Sequence, residues 1–255
     1  MSDVLGVTLG DAVSRVTLTR PAAANTIGME AARAFRDAVA SVRAAGSRVL
    51  VIDALGSTFC GGGDVREVAS AADPSAHLAA LAAAFHEGLL ALADLDAVVI
   101  AQVDGAVAGG GLGLVLHSDV AIASSRARFL TAYDRLGVTP DSGVTDLLPR
   151  AIGERRALEM TMLGRALDAA TARDWGLVAD VVEPDGLAAT VDALAARLAT
   201  DPVAHLAATR RLYRGIPTDH PARLADEARL IGAWAATPHA RERIAAFAPK
   251  EGSDA

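Results

Sequence analysis

The sequence predicts an α/β fold built around a largely parallel sheet. Over the first two thirds of the chain, short apolar runs of strand length alternate with segments of helix length. Two runs, Val49–Asp53 and Val98–Val103, are continuously apolar, as expected of strands that are buried on both faces. Because parallel strands need long crossover connections, usually helices, this alternation favours parallel pairing.

The elements follow one another with clear start and stop signals. Val4–Leu9 and Val13–Thr19 alternate around a Gly-Asp turn and predict an antiparallel hairpin. A helical stripe runs from about Met29 to Arg43, and Gly46 ends it. The further predicted elements are helices over Ser75–Asp94 and Gly110–His117 and strands over Val120–Ala123 and Val178–Val182.

The last quarter of the chain has a different pattern, in which prolines separate apolar helical stripes. The helices predicted there are Leu187–Ala199, Ala204–Tyr213, Arg223–Ala236 and His239–Phe247. We therefore expect a β/α core over residues 1–184 and a helical region over residues 185–255. The apolar faces of that region need a surface to cover them, either the core or neighbouring subunits.

Composition and charge exclude several classes of function. The 255 residues carry a formal net charge of −7 without a basic stripe, which argues against a nucleic-acid partner. The single cysteine, Cys60, permits no internal disulfide and suits a reducing cytoplasm. The N-terminus lacks the charge pattern of a signal peptide, and the apolar runs are too short to span a bilayer. We expect a cytoplasmic protein without a membrane partner.

Two glycine clusters each follow a predicted strand and precede a predicted helix. They are Gly61-Gly62-Gly63, just before Asp64, and Gly109-Gly110-Gly111. Free amides at such helix starts can bind an anion or an oxyanion, and two loops could act on one oxygen. The spacing does not fit a dinucleotide or P-loop fingerprint. On spacing alone, an oxyanion site and ordinary turn glycines are equally open.

Longer segments resemble one family. Phe59–Val68 (FCGGGDVREV) resembles the F-C-A-G-x-D-ϕ-x-E motif of the crotonase, or enoyl-CoA hydratase/isomerase, family. Val103–Ala123 resembles its second block, N-G-x-A-x-G-G-G-x-x-L-x-x-x-C-D. Arg20–Asn25, Phe129–Gly153 and Ala169–Val182 match in the expected order, so the resemblance covers essentially the whole chain.

The resemblance implies a spiral core of ββα turns, a C-terminal helical region, and a homotrimer or dimer of trimers. It also implies an acyl-CoA substrate whose thioester oxygen is held by the N–H groups of Gly63 and Gly110. Asp64 is expected to cap a helix and not to act as an acid.

The carboxylates indicate which reaction of the family to expect. Hydratases of the family use two glutamates, and the corresponding positions here are Gly113 and Tyr133. Water addition needs both an acid and a base, so hydration is disfavoured. The segment Leu136–Gly143 instead resembles the Pro-Asp-x-Gly block of the isomerase branch, which places Asp141 as the acid–base group. A turn and helix cap at Asp141 is the alternative.

We therefore expect an enoyl-CoA isomerase that shifts a double bond. Two alternatives remain, namely a hydratase that recruits Asp134 or Asp141, and a catalytically silent acyl-CoA-binding homologue. A dehalogenase branch uses an aspartate nucleophile near this place, but no Trp or His flanks Asp141 in this segment.

The remaining site predictions concern the CoA moiety and the acyl pocket. By resemblance, backbone near Ala23, Asn25, Gly61 and Gly62 holds the CoA, and Arg66 and Lys250 either bind its phosphates or are surface charges. Tyr133 either lines the acyl pocket or hydrogen-bonds there, or it packs in the core, and His117 is expected to be structural. No histidine has metal-ligand spacing, so we expect no metal and no cofactor beyond the CoA of the substrate.

Overall fold

A computed structural model of the protein describes residues 4–200, 206, 209–210 and 220–247. The helix predicted over Ala204–Tyr213 lies largely outside these residues, and Lys250 lies wholly outside them.

The larger of two sheets has six strands and contains the predicted buried runs. In spatial order its strands are β1 (Leu5–Thr8), β2 (Val13–Leu18), β3 (Val49–Ala54), β5 (Val98–Val103), β7 (Val120–Ser124) and β10 (Asp180–Val182). β1 pairs with β2 antiparallel, in the register Leu5 opposite Leu18, and the other neighbours are parallel. The predicted hairpin and parallel sheet are therefore confirmed.

The second sheet has four short strands that the sequence pattern did not predict individually. They are β4 (Thr58–Cys60), β6 (Ala106–Ala108), β8 (Arg128–Leu130) and β9 (Leu167–Asp168). Strands of two or three residues are too short for a period-two pattern to be recognised. Each of β3, β5 and β7 is followed by a strand of this second sheet and then by a helix, so the chain repeats a ββα turn.

Helices connect and cover the two sheets. They are α1 (Met29–Ala45), α2 (Val65–Ser70), α3 (Pro74–Ala93), α4 (Gly110–His117), α5 (Tyr133–Leu136), α6 (Val144–Ile152), α7 (Glu154–Met162), α8 (Ala169–Trp175), α9 (Pro184–Thr200), α10 (His220–Ala235) and α11 (Pro238–Ala245). A 3-10 turn spans Pro21–Ala23. Within the described residues, the predicted ends of the helices lie within about three residues of the observed ends. The reason is that local residues mark these ends, for example Asp73, which caps α3 just before Pro74.

The described part of the C-terminal region packs on the core of the same chain. α9 buries Leu187, Val191 and Ala195 against the outer face of the larger sheet. α10 packs along α3, where Ser75 Oγ donates to the carbonyl of Gly232 at 2.5 Å. These contacts give the helices the covering surface that their apolar stripes predict.

Arg210 connects this region to the end of α3 through hydrogen bonds. Its buried guanidinium donates to the carbonyls of Leu92, Ala93 and Leu95 and, at 2.9 Å, to Asp119 Oδ1. The last carbonyls of a helix lack partners within it, so Arg210 satisfies groups that burial would otherwise penalise.

By length and composition, α3 is the one helix in the described ranges that could cross a membrane. A core helix passes the same test, and α3 lies against both α1 and α10.

Candidate active site

The first glycine cluster joins β4 to α2. Asp64 accepts a hydrogen bond from the amide of Glu67 at 3.3 Å, so it caps α2 as predicted. A parallel bridge joins this loop to Ile27, whose amide donates to the Gly62 carbonyl and whose carbonyl accepts from the Asp64 amide. In a parallel bridge the residue between those two partners turns its own N–H to the opposite side. The amide of Gly63 therefore points away from Ile27.

The second glycine cluster starts α4. Gly109 has φ 50° and ψ −123°, a conformation that an L side chain would strain. Gly110 is the first residue of α4, so its amide has no partner within the helix and lies at the positive end of the helix dipole. In the part of the chain that the structure describes, neither Gly63 nor Gly110 donates in the loop and cap hydrogen bonds.

The two glycine loops touch each other. A Cβ atom added at Gly62 would lie 3.3 Å from the Gly110 nitrogen and 2.9 Å from the Ala108 carbonyl. Gly62 also has φ +89°, so glycine is required there by both space and backbone conformation. The close approach brings Gly63 and Gly110 to the wall of one cavity.

This cavity has a volume of about 240 Å³ and a mainly apolar wall. The apolar lining includes Ile27, Val65, Val68, Leu78, Leu81, Phe85, Leu130, Leu136, Val138 and Ile231. The lining residues from the glycine loops are Gly61, Gly62, Gly63, Gly109 and Gly110. Among the described residues that line it, Asp141 supplies the one carboxylate.

Asp141 lies in the loop between α5 and α6 and is largely buried. The Tyr133 hydroxyl donates to Asp141 Oδ1 at 2.7 Å. Burial, followed by the charge of Asp141, raises the pKa of Tyr133 well above its ordinary value, so this proton stays on the phenol. Oδ2 has no hydrogen-bond donor among the described residues, which leaves one carboxylate oxygen open to a reactant.

His86 of α3 approaches the other side of Asp141, with Nε2 3.8 Å from Oδ2. Nε2 accepts a hydrogen bond from the Ser142 amide at 2.9 Å, and Nδ1 lies 3.0 Å from the Leu224 carbonyl. These partners assign the proton to Nδ1 and leave the ring neutral. The approach to Asp141 is therefore not an ion pair.

Glu227 of α10 contacts the residues that follow Asp141 in the chain. One of its oxygens accepts from the Gly143 amide at 2.8 Å, and the other accepts from the Thr145 hydroxyl. Burial raises the pKa of Glu227 to about 7, against these two hydrogen bonds, and the charge of Asp141 adds to the rise. Neither Glu227 nor His86 lines the cavity.

Comparison with known proteins identifies the family of this chain. The family model for enoyl-CoA hydratase/isomerase matches residues 8–254. This chain belongs to that family. The 1,2-epoxyphenylacetyl-CoA isomerase of Escherichia coli (strain K12) is 34% identical over 210 residues, covering 81% of this chain and 80% of the relative. The 4-chlorobenzoyl coenzyme A dehalogenase-2 of Arthrobacter sp. is 30% identical, covering 94% of this chain and 89% of the relative.

A crystal structure of an enoyl-CoA hydratase from Mycobacterium avium subsp. paratuberculosis K-10 superimposes with a TM-score of 0.85. It is 30% identical to this chain and covers 96% of it and 95% of the solved chain. The family resemblance and the crotonase-type α/β fold are confirmed. The relatives' names cover hydration, isomerisation and dehalogenation, so the reaction of this family member has to be argued from its own residues.

The two positions at which hydratases of the family were expected to carry glutamates hold other groups. A Cβ atom at Gly113 would lie 2.7 Å from both the Cβ and the carbonyl oxygen of Ser142, so no side chain fits there. The second position holds Tyr133, which donates to Asp141. Asp134, the alternative carboxylate, is exposed beside Gly164 and does not line the cavity.

Three of the predicted substrate-binding residues lie apart from the cavity wall. Ala23 and Asn25 belong to the turn that precedes α1. This turn contacts the first glycine loop through a hydrogen bond from the Gly61 amide to the Ala24 carbonyl at 2.9 Å. The Asn25 side chain is buried and donates to the carbonyls of Leu55 and Thr58, which orders the turn. Arg66 is exposed on α2.

His86 and Glu227 were missed in the sequence, although a signal was present. Both are polar residues on otherwise apolar helix faces. His86 lies between Ala82 and Leu89 on the buried stripe of α3, and Glu227 shares the buried face of α10 with Leu224. A titratable side chain on a core-facing stripe needs buried partners.

Proposed function

We propose that this family member is an enoyl-CoA isomerase that moves a double bond from the 3,4 to the 2,3 position of an acyl-CoA. The observation that carries the proposal is the position of Asp141. It is the one carboxylate among the described residues of the cavity wall, and it shares that wall with the free amides of Gly63 and Gly110.

In the proposed reaction the ionised carboxylate of Asp141 takes a proton from C2 of a 3-enoyl-CoA. The electron pair of the broken C–H bond moves through the thioester group to its oxygen and gives a dienolate. The amides of Gly63 and Gly110 donate hydrogen bonds to that oxygen, where such a pair stabilises developing charge by several kcal/mol, about 3 per donor.

The same carboxyl group then returns the proton to C4, and the electrons flow back from the oxygen to form the 2,3 double bond. One carboxyl group suffices because it acts in turn as base and acid. Tyr133 supports this role, since its hydroxyl fixes Oδ1 and leaves Oδ2 free for the substrate.

Hydration is the weaker alternative. It requires a second group that activates the water or protonates C2. The two relevant positions hold Gly113, where no side chain fits, and Tyr133, whose hydroxyl donates to Asp141. Hydrolytic dehalogenation would require Asp141 as nucleophile and a nearby base for water. His86 is near enough to be considered, but its Nε2 is occupied by the Ser142 amide and the ring does not reach the cavity.

The same proposal assigns the CoA moiety to the surface beside Ala23, Asn25, Gly61 and Gly62, with Arg66 as a phosphate contact and no cofactor beyond the substrate. A homotrimer or dimer of trimers in the cytoplasm, held together through the C-terminal helical region, remains a prediction.

The decisive experiment compares 3-hexenoyl-CoA with crotonyl-CoA as substrates and follows the conjugated thioester by absorbance. We expect conversion of the first and little hydration of the second. Asp141→Asn should lower kcat on 3-hexenoyl-CoA by about 10³-fold, while product binding measured by calorimetry is retained.

Asp134→Asn is the matched control, because this carboxylate is near in sequence but exposed, and it should keep full activity. Rapid hydration of crotonyl-CoA without any double-bond shift would overturn the assignment. A folded protein that binds product but converts neither substrate would support a silent acyl-CoA-binding role instead.

A further inference from the structure

The loop that carries the proposed acid–base group, residues 141–143, has an unusual backbone. Ser142 has φ +59° and Gly143 has φ +76°, and both lie in the left-handed region. A serine persists in that region only when its surroundings determine the conformation. The loop is therefore held by contacts beyond its own sequence.

Those contacts come from three different helices. Tyr133 of α5 donates to the Asp141 carboxylate, and His86 of α3 accepts from the Ser142 amide. Glu227 of α10 accepts from the Gly143 amide. Each residue of the loop thus has one side-chain partner of its own.

Glu227 contacts both the loop and the helix that follows it. It binds the Gly143 amide at the N-cap of α6 and, through its other oxygen, the hydroxyl of Thr145 in the first turn of that helix. A buried carboxylate at a helix N-terminus satisfies amides that have no partner within the helix. One side chain from the C-terminal region therefore fixes the point where the loop becomes α6.

We propose that Glu227 is a positioning residue, which holds the loop of residues 141–143 so that Asp141 faces the acyl group. This role rests on the proposed function of Asp141. Glu227 is buried and outside the cavity wall, so it acts through the loop and does not touch substrate.

The hydrogen bonds of Glu227 do not require its charge. In the neutral form one oxygen still accepts from Gly143, and the protonated oxygen donates to the Thr145 hydroxyl, which can act as acceptor. Glutamine reproduces this arrangement with its carbonyl oxygen and its NH₂ group. The ionisable groups around Glu227 are Asp141, whose charge raises the pKa of Glu227, and Tyr133, whose own pKa is raised by the charge of Glu227. The neutral His86 of α3 binds the same loop through the Ser142 amide.

The kinetic test compares Glu227→Ala and Glu227→Gln on 3-hexenoyl-CoA. The alanine variant should lower kcat by about 10- to 100-fold, since a displacement of about 1 Å in a catalytic group has effects of that size. KM should stay within about twofold, because Glu227 does not contact the binding surfaces. The glutamine variant should keep kcat within about threefold of the wild type.

Asp226→Ala is the matched control, because this neighbouring carboxylate on α10 is exposed and pairs with Arg229 at the surface. It should leave kcat and KM unchanged. Thr145→Val removes one of the two partners of Glu227 and leaves the other, so it should give an intermediate kcat. It replaces Glu227→Ala as the test if that variant does not fold.

A second measurement does not depend on the reaction. Hydrogen exchange of a peptide covering residues 141–147 should be at least tenfold faster in Glu227→Ala than in the wild type, and unchanged in Glu227→Gln and Asp226→Ala. Wild-type exchange together with wild-type kcat in Glu227→Ala and Thr145→Val would overturn the proposal. Faster exchange in a protein without isomerase activity would overturn the proposed function and leave the contact between Glu227 and the loop standing.

Discussion

Tyr133 and Asp141 form a hydrogen-bonded pair at the wall of the cavity. The carboxylate is held at one oxygen by a phenol that keeps its proton, and the other oxygen has no donor among the described residues. A carboxylate held at both oxygens would be a weaker base, because each donor stabilises the charged form. Holding one oxygen fixes the direction of the carboxylate and leaves the other oxygen accessible.

Replacing Tyr133 by phenylalanine tests this arrangement. We expect kcat on 3-hexenoyl-CoA to fall about 10- to 150-fold with KM within about twofold, because the ring remains in place while the donor to Oδ1 is lost. A hydrogen bond to a charged group contributes about 1.5–3 kcal/mol, which is the appropriate range for this change. In an Asp141→Asn background the same substitution should have almost no further effect on kcat. Equal effects in both backgrounds would show that the hydroxyl acts independently of Asp141.

The site residues predicted from the sequence are those whose signal is local. Gly63, Gly110 and Asp141 each stand in a short segment that resembles a family motif, and the structure brings all three to one cavity, while their roles stay a prediction. His86 and Glu227 act on the loop of residues 141–143 from positions 56 and 84 residues away from their partners. No local spacing records such contacts, so only the coordinates bring them together.

Helix α4 has no room for a side chain at the position where the hydratase branch was expected to carry its first glutamate. It begins at the Gly110 amide and continues through Gly113, where hydratases of the family were expected to carry a carboxylate. Here the loop of residues 141–143 occupies that space, since Ser142 would collide with any Cβ at Gly113. The absence of a glutamate in α4 and the presence of the Asp141 loop are therefore one structural feature.

Gly113→Ala and Gly186→Ala give a matched test of this contact. Alanine is favoured over glycine in helices by about 0.5–1 kcal/mol, and nothing lies within 4 Å of a Cβ at Gly186 in α9. We therefore expect Gly186→Ala to raise the free energy of unfolding. Gly113→Ala should lower it by about 1–3 kcal/mol because of overpacking against Ser142. Urea denaturation measures both, and a stabilised Gly113→Ala protein would contradict the packing described here.

The long elements could be predicted from the sequence and the short ones could not. Helix α3 and strands β3 and β5 have continuous patterns with caps or bounding turns, and their observed ends lie close to the predicted ones. The strands of the second sheet have two or three residues each, and their pairing is set by the ββα turns as a whole. The conformation of the loop of residues 141–143 could not be predicted either. Its left-handed backbone is stabilised by side chains from helices that are distant in the sequence.

On the scale of the whole molecule, the described part of the C-terminal region is in close contact with residues 1–184. α9 covers the larger sheet, Arg210 binds the end of α3, and Glu227 of α10 holds the loop that precedes α6. Residues 185–255 were predicted to serve oligomerisation, and that role stays a prediction. Their described part also binds the loop of residues 141–143 through Glu227, which links that loop to the packing of the C-terminal helices.

This link predicts how stability depends on pH. In the folded protein the pKa of Glu227 is about 7, above its ordinary value of 4.5, because burial disfavours its charged form. Below pH 4.5 the group is neutral in both the folded and the unfolded chain. As the pH rises from 4.5 to 7, the unfolded chain loses this proton first, so the folded state loses stability, by about 3 kcal/mol in total.

Glu227→Gln removes this titration and so isolates its contribution. The difference in free energy of unfolding between the variant and the wild type should shift by about 3 kcal/mol in favour of glutamine between about pH 4.5 and pH 8. Asp226→Asn, at an exposed neighbouring position, should show no such shift. Urea denaturation at a series of pH values measures the difference. A flat difference for Glu227→Gln would show that the carboxylate is far better solvated than its burial and its contacts with Gly143 and Thr145 imply.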